Sequence, residues 1–420
     1  MSEEFDVIVL GAGPAGEHAV GRATKAGLKT AIVESELFGG ECSYWACIPS
    51  KTLLRPGRVI AAAQAVPGAR EAVTGVIDSD AALARRDSMT SDWDDQGQLD
   101  WVIENGATPV RGRARITGEK SVVVESTDGS TRLITADKAV IIATGSSPLI
   151  PPIPGLAESR HWDNRGATSA KQVPERLIVL GGGAQGAELA QAWKRLGARE
   201  VTIIDLAERL ISTSEPFAGE LVAHALEKEG IDLRLGRRAE KVERESADAP
   251  VFVTLDDQSV VAADELLVAV GRRPRTNDLG LESLGLDPSK PIEVDRQLRV
   301  VGVPGAWLYA IGDVNGEVLL THMGKYQARI AVRSIVGEEV EDIADHRAIS
   351  AVVFTDPQVA TVGLTEAAAL QAGIAARSVR VELSAVAAGS IEGEDVEGAA
   401  QLVIDTEAST VVGATFVGPD

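Results

Sequence analysis

The sequence predicts an α/β chain carrying two Rossmann-like dinucleotide-binding domains. Three observations predict it. A strand, glycine loop, helix and strand open the chain, from "DVIVLGAGPAG" to "KTAIVE", and the same unit recurs from "RLIVLGGGAQG" to "VTIID". Each unit ends its second strand on an acid, Glu34 or Asp205. Each is then followed by a similar segment, "VVVESTDGSTRLITADKAVIIATGSSP" or "VFVTLDDQSVVAADELLVAVGRRP". Both segments read as a hairpin, an apolar strand, then Gly and Pro, so the two units end alike.

The first glycine loop is Gly11, Gly13 and Gly16. The first glycine permits a tight turn, the second lets backbone approach a pyrophosphate, and the third lets helix and strand pack closely. The phosphates then face a helix N-terminus, where free N–H groups and the helix dipole favour anions. Glu34 is placed to accept protons from ribose hydroxyls. The second loop is Gly181, Gly183 and Gly186, with a strand at 177–180 before it and a helix to about Leu196 after it. Asp205 would bind a ribose 2′-OH and repel a 2′-phosphate, so NAD is expected over NADP, with Arg209 nearby as the residue that opposes this. Two complete units imply two bound dinucleotides.

Composition removes other classes. Acidic residues outnumber basic ones, 62 to 41, for a net charge of -21, which disfavours nucleic acid and anionic membranes. Aromatic residues are only 4%, too few for a base-stacking surface. No apolar run is long enough to span a bilayer. The N-terminus "MSEEFDVIVLGAG" lacks the basic start of a secretory signal, so a cytoplasmic protein is expected.

The chain has 2 cysteines, both in "FGGECSYWACIPSK" at 38–51. Zinc sites use three or four ligands at short spacing, and no histidine or further cysteine lies near Cys42 and Cys47, so no metal site is expected. Structural disulfides are rare in the cytoplasm. A redox-active pair is the remaining reading. In a regular helix, residues five apart lie about 7.5 Å apart along the axis and about 140° around it, whereas a disulfide needs Cα atoms within about 7 Å. The helix must therefore be distorted there, or Cys42 must precede it. Pro49 suits an early helical turn, before "SKTLLRPGRVIAAAQAV".

These residues resemble the FAD-dependent pyridine nucleotide-disulfide oxidoreductases, which include dihydrolipoyl dehydrogenase, glutathione reductase and mercuric reductase. The resemblance covers essentially the whole chain. It rests on Gly39, Gly40, Cys42, Cys47, Pro49 and Lys51, on the "ATG" turn of Ala143, Thr144 and Gly145, on Asp313 in "LYAIGDV", and on "FTDPQVATVGLTE" at 354–366. It implies that the first loop binds FAD and the second the nicotinamide, with Gly40, Lys51, Thr144, Gly145, Gly271 and Asp313 joining the cofactor contacts. It implies an FAD domain at 1–150 and 275–335, an NAD(P) domain at 151–274, and a dimerisation domain at 346–420 that is incomplete at its C-terminus.

The same resemblance implies the roles. Electrons would pass between the nicotinamide, the flavin and a Cys42–Cys47 disulfide, with Cys47 the flavin-side sulfur and Cys42 the one that exchanges with substrate. Lys51 and Glu188 would form an ion pair beside the flavin, and the helix opening at His322 and Met323 would face the flavin pyrimidine ring. The implied substrate is a thiol, a disulfide or a protein-bound lipoyl group, and the implied assembly is a homodimer. Two departures bear on the substrate. Tyr44 and Trp45 stand between the cysteines where relatives often have small or aliphatic residues. No histidine of this chain (18, 161, 224, 322, 346) lies in the His-x-x-Pro-like segment that holds the family's acid–base residue, so the sequence is expected to be a fragment and none is assigned that role. Mercuric-ion or quinone reduction through the same flavin is one competing reading. A flavin-bound, non-catalytic interaction subunit is the other.

Overall fold

The structure, a computed structural model, describes residues 3–344 and 348–419. The described chain forms two compact units, Met1–Cys47 with Thr90–Ser147 and Arg272–Ile343, and Ile48–Met89 with Pro148–Gly271 and Ala344–Asp420. His346 lies outside the described residues.

In the first unit the apolar run Glu3–Leu10 is a fully flanked central strand. It pairs in parallel with Thr30–Glu34 and with residues 134–142 of the long strand Thr131–Ile142. Such a strand is buried on both faces, so it reads as continuous rather than alternating apolar sequence. The N-terminal half of Thr131–Ile142 also pairs antiparallel with Ser121–Glu125, which pairs with Arg113–Gly118. Thr108–Arg111 and Leu308–Ala310 complete the sheet, both in parallel. The crossover helix Pro14–Lys25 lies on one face, against the helix Thr321–Ile335. Their approach is close because Gly324 faces the Ala15 methyl, from which a Cβ on Gly324 would lie only 3.1 Å away.

The second unit repeats the parallel core. Its sheet runs Ile231–Leu235, Glu200–Asp205, Arg176–Leu180, Glu265–Val268, all parallel, with Ala184–Arg195 as the crossover helix. The predicted second hairpin is the antiparallel pair Val251–Leu255 and Val260–Ala263. The C-terminal part of this unit is a five-stranded antiparallel sheet, ordered Ser350–Val353, Gln358–Gly363, Thr410–Gly418, Ala399–Asp405, Ala376–Glu382. Leu53, Leu54, Ala82 and Leu83 from residues 48–89 join the core around the fully buried Trp193. Arg86, also fully buried, spends its guanidinium on the Thr168 and Ala170 carbonyls and on Asp87, which meets the demand that a buried charge be paired. Among the described residues no helix is long and apolar enough to cross a membrane.

Candidate active site

The two glycine loops share one geometry. Gly11 N–H donates to Val33 O and Ala143 N–H to Leu10 O, each at 2.8 Å; Gly181 N–H donates to Ile204 O at 2.8 Å and Ala269 N–H to Leu180 O at 2.7 Å. Gly11 has φ 102° and Gly181 φ 106°, a region that side chains disfavour. A Cβ on Gly11 would strike the Ala143 carbonyl, and one on Gly181 the Ala269 carbonyl. Gly16 and Gly186 likewise sit directly on the carbonyls of Gly11 and Gly181, so strand and helix meet at backbone distance. The middle glycines differ: a Cβ at Gly13 or Gly183 meets no atom within 4 Å. The absence of a side chain there serves no contact within the chain and leaves room for a pyrophosphate, so both loops fit a dinucleotide.

The strand-ending acids are held alike. Glu34 accepts from Ala12 N–H and Glu36 N–H, both at 2.8 Å. Asp205 accepts from Gly182 N–H and, at 2.7 Å, from Ala207 N–H. Each carboxylate is thus aimed by the loop it serves and keeps lone pairs for ribose hydroxyls. Arg209 is turned to the Ser212 and Ser214 carbonyls, at 2.9 and 3.5 Å.

The redox segment is docked on the first loop. Gly39 N–H donates to Ala12 O at 2.8 Å. A Cβ on Gly40, at φ 58°, would lie 2.8 Å from Gly13 Cα. Cys42 falls in the short helix Gly40–Tyr44, and Cys47 opens the helix Cys47–Ala65. Between them the chain leaves helical geometry at Trp45, which has φ -138°, so of the two expected arrangements it is the one with Cys42 ahead of the Cys47 helix that is found. Both residues are thiols and half-buried. The Thr321 hydroxyl, at the first residue of its helix, lies 3.5 Å from each sulfur. The Cys42 thiol is pushed well above its ordinary range, first by its hydrogen bond to Cys47 and then by burial. A thiol held protonated by such a bond donates to its neighbour, Cys47. Lys325, on the same helix as Thr321, pulls the other way on Cys42.

A third group of the residues singled out from the sequence lies at the strand ends of the first unit. Thr144 Oγ1 donates to Arg275 O at 2.7 Å, and Arg275 N–H donates to Gly145 O at 2.9 Å. Asp313 accepts from Ser146 Oγ at 2.5 Å, and Arg272 Nε donates to the same hydroxyl at 2.7 Å. Arg275 also reaches Glu41, at 2.9 Å. In the second unit, Gly271 O accepts from Leu149 N–H at 2.9 Å.

Lys51 lies in the second unit, one turn after Cys47 along its helix. Its Nζ is 2.6 Å from Glu188 Oε2 and 4.8 Å from the centre of the Phe354 ring. Glu188 is only 5% exposed, and its other oxygen accepts from Phe354 N–H at 2.9 Å. Both carboxylate oxygens of this buried group therefore have partners, as its burial requires.

Thr321, Phe354 and Glu17 are new members of these clusters. Thr321 offered a signal only as a hydroxyl residue at a helix start. Glu17 follows the first glycine loop. Its Oε1 is buried with no hydrogen-bond partner among the described residues, and burial raises its carboxyl to about 7.

A doubly repeated dinucleotide fold beside a close cysteine pair defines a flavoprotein of the disulfide-oxidoreductase class. The pyridine nucleotide-disulphide oxidoreductase family matches residues 5–333, and its dimerisation domain matches residues 349–420. The chain belongs to this family; it is a flavoprotein disulfide oxidoreductase that uses FAD and NAD(P). It is 35% identical to a dihydrolipoyl dehydrogenase of Chlorobaculum tepidum, covering 100% of this chain and 89% of that one. It is 33% identical to a mercuric reductase of Staphylococcus aureus, covering 99% of this chain and 74% of that one. The crystal structure of LpdA from Mycobacterium tuberculosis superposes with a TM-score of 0.85 at 26% identity, over 99% of this chain and 90% of that one. The Cu(II) complex of the HOCl-induced flavoprotein disulfide reductase RclA from Escherichia coli superposes equally well, with a TM-score of 0.85, over 100% of this chain and 90% of that one; at 24% identity it speaks to the fold alone.

Proposed function

We propose that this chain is an NADH-linked, dihydrolipoyl dehydrogenase-like enzyme that exchanges a Cys42–Cys47 disulfide with a small or lipoyl-bound dithiol. The observation that carries the reading is the pair of sulfurs sharing one hydroxyl, Thr321 Oγ1, at 3.5 Å each. FAD, when bound, supplies the two-electron link between these sulfurs and the nicotinamide.

The residues then act as follows. A substrate thiolate attacks Cys42 Sγ, and the Cys42–Cys47 bond breaks with Cys47 leaving as thiolate. The second substrate thiol attacks its own sulfur in the mixed disulfide, releasing the oxidised substrate and returning the Cys42 thiol. The Cys42 S–H donates toward the Cys47 thiolate and lowers the cost of its charge, while the Thr321 hydroxyl donates to Cys42 Sγ. Lys51, held by Glu188, supplies fixed positive charge where electron density accumulates. Gly11, Gly13, Gly16, Glu34, Gly40, Thr144, Gly145 and Asp313 hold FAD. Gly181, Gly183, Gly186, Asp205 and Gly271 hold the nicotinamide dinucleotide. Asp205 and the engaged Arg209 favour NADH over NADPH, because a 2′-phosphate would meet a carboxylate. The functional domains follow as 1–150 with 275–335 for FAD, 151–274 for NAD(P), and 346–420 for a homodimer interface, in a cytoplasmic setting that keeps the thiols in turnover.

The test is NAD-linked oxidation of dihydrolipoamide. Cys42→Ser and Cys47→Ser should each cut kcat at least about a thousandfold, by removing the nucleophile or leaving group, while FAD is retained. Turnover with lipoyl substrates absent but present with Hg(II) would replace this reading by mercuric-ion reduction, which the similarity to the Staphylococcus aureus enzyme supports.

A further inference from the structure

The segment Ser91–Trp93 holds three consecutive non-glycine residues in the left-handed region, with φ of 51°, 51° and 60°. Such a conformation is strained, and the strain persists only where surrounding structure enforces it. Trp93 is the residue this turn presents to the redox segment. Its indole N–H donates to Tyr44 O at 3.2 Å. The Tyr44 side chain, fully buried, is held from the same stretch: its hydroxyl lies 3.0 Å from Gln98 Oε1 and 3.3 Å from Asp94 O. Residues 93–98 thus grip Tyr44 at both its carbonyl and its hydroxyl. Tyr44 is the last residue of the short helix that carries Cys42, and the break at Trp45 follows directly.

Resting on the Cys42–Cys47 redox reading, we propose that Trp93 is a positioning residue for the redox pair, anchoring the Cys42 helix so that its sulfur stays within reach of Cys47. Going from dithiol to disulfide draws the sulfurs to about 2.05 Å. With Tyr44 anchored, flexing is confined to Trp45 and Ala46. The two thiols then face each other at high effective concentration, and ring closure needs little further ordering. Loss of the anchor lets the Cys42 helix swing, lowers that effective concentration, and makes the disulfide easier to reduce.

The experiment equilibrates FAD-bound protein with reduced and oxidised dithiothreitol, then traps thiols by alkylation and reads Cys42 and Cys47 by mass. Closure forms the Cys42–Cys47 bond and breaks two S–H bonds; two electrons and two protons pass to the dithiothreitol disulfide, which opens. The closure constant should fall about tenfold in Trp93→Phe, a potential about 30 mV less negative. Trp93→His, which keeps a ring N–H, should recover part of it. Tyr44→Phe, which removes only the hydroxyl grip, should shift the constant in the same direction and serves if Trp93→Phe does not fold. A wild-type closure constant with folded Trp93→Phe or Tyr44→Phe matching it within twofold would overturn the proposal. A wild-type protein that never closes the pair would instead overturn the redox reading on which it rests.

Discussion

At the residue scale, the account turns on how buried charges are met. Glu188 has both oxygens satisfied, one by Lys51 and one by Phe354 N–H. Lys51→Met should leave that carboxylate half-paired, destabilise the fold by about 1–2 kcal/mol given the exposure of the lysine head, and slow NADH-driven turnover tenfold to a hundredfold. A Lys51→Met enzyme with unchanged kcat would remove Lys51 from the chemistry. Glu17 is the opposite case. Burial raises its carboxyl from 4.5 to about 7, with Glu34 adding to the rise and Lys325 opposing it. A carboxyl with a raised folded-state value stabilises the fold while protonated, fully below the unfolded value, and that contribution is lost as pH rises toward and past the folded value. Glu17→Gln should therefore match wild type near pH 4 and exceed it by about 2–3 kcal/mol near pH 8, read by chemical denaturation at both pH values. Of these residues, Lys51 and Glu188 were visible through family resemblance alone, because 137 positions separate them and neither has a local pattern. Thr321 was not visible as a thiol partner: 279 positions from Cys42, it reads as an ordinary helix-start hydroxyl.

At the element scale, the glycine loops separate packing from ligand approach. A Cβ at Gly16 or Gly186 would strike a backbone carbonyl, whereas one at Gly13 or Gly183 would meet no atom within 4 Å. Gly16→Ala should thus fail in folding or FAD uptake together. Gly13→Ala should fold with an unchanged Tm before FAD is added and bind FAD at least about tenfold more weakly, since a methyl group enters the pyrophosphate approach. Gly183→Ala should raise the KM for the nicotinamide by a similar factor and leave FAD content unchanged. FAD content from absorbance and NADH kinetics check both. These elements were highly legible. Apolar strands, glycine spacing and terminal acids are local signals, and the duplicated unit stated them twice. The cysteine segment was legible in part: a disulfide at this spacing required either a distorted turn or Cys42 ahead of the helix, and Cys42 lies ahead of the helix Cys47–Ala65. The left-handed turn Ser91–Trp93 was not, because "SDW" carries no glycine to announce positive φ.

At the scale of the whole molecule, the same parallel strand core occurs once in each unit, and a dimerisation domain follows at 349–420. The central claim is that reduction by nicotinamide reaches Cys42 and Cys47 through the flavin. The direct measurement is anaerobic titration of the FAD-bound protein with NADH while its visible spectrum is recorded. The predicted result is a long-wavelength thiolate-to-flavin charge-transfer band, present in wild type and Cys42→Ser and absent in Cys47→Ser. Bleaching of the flavin with no such band in wild type would contradict the claim and leave the cysteines outside the path of the electrons.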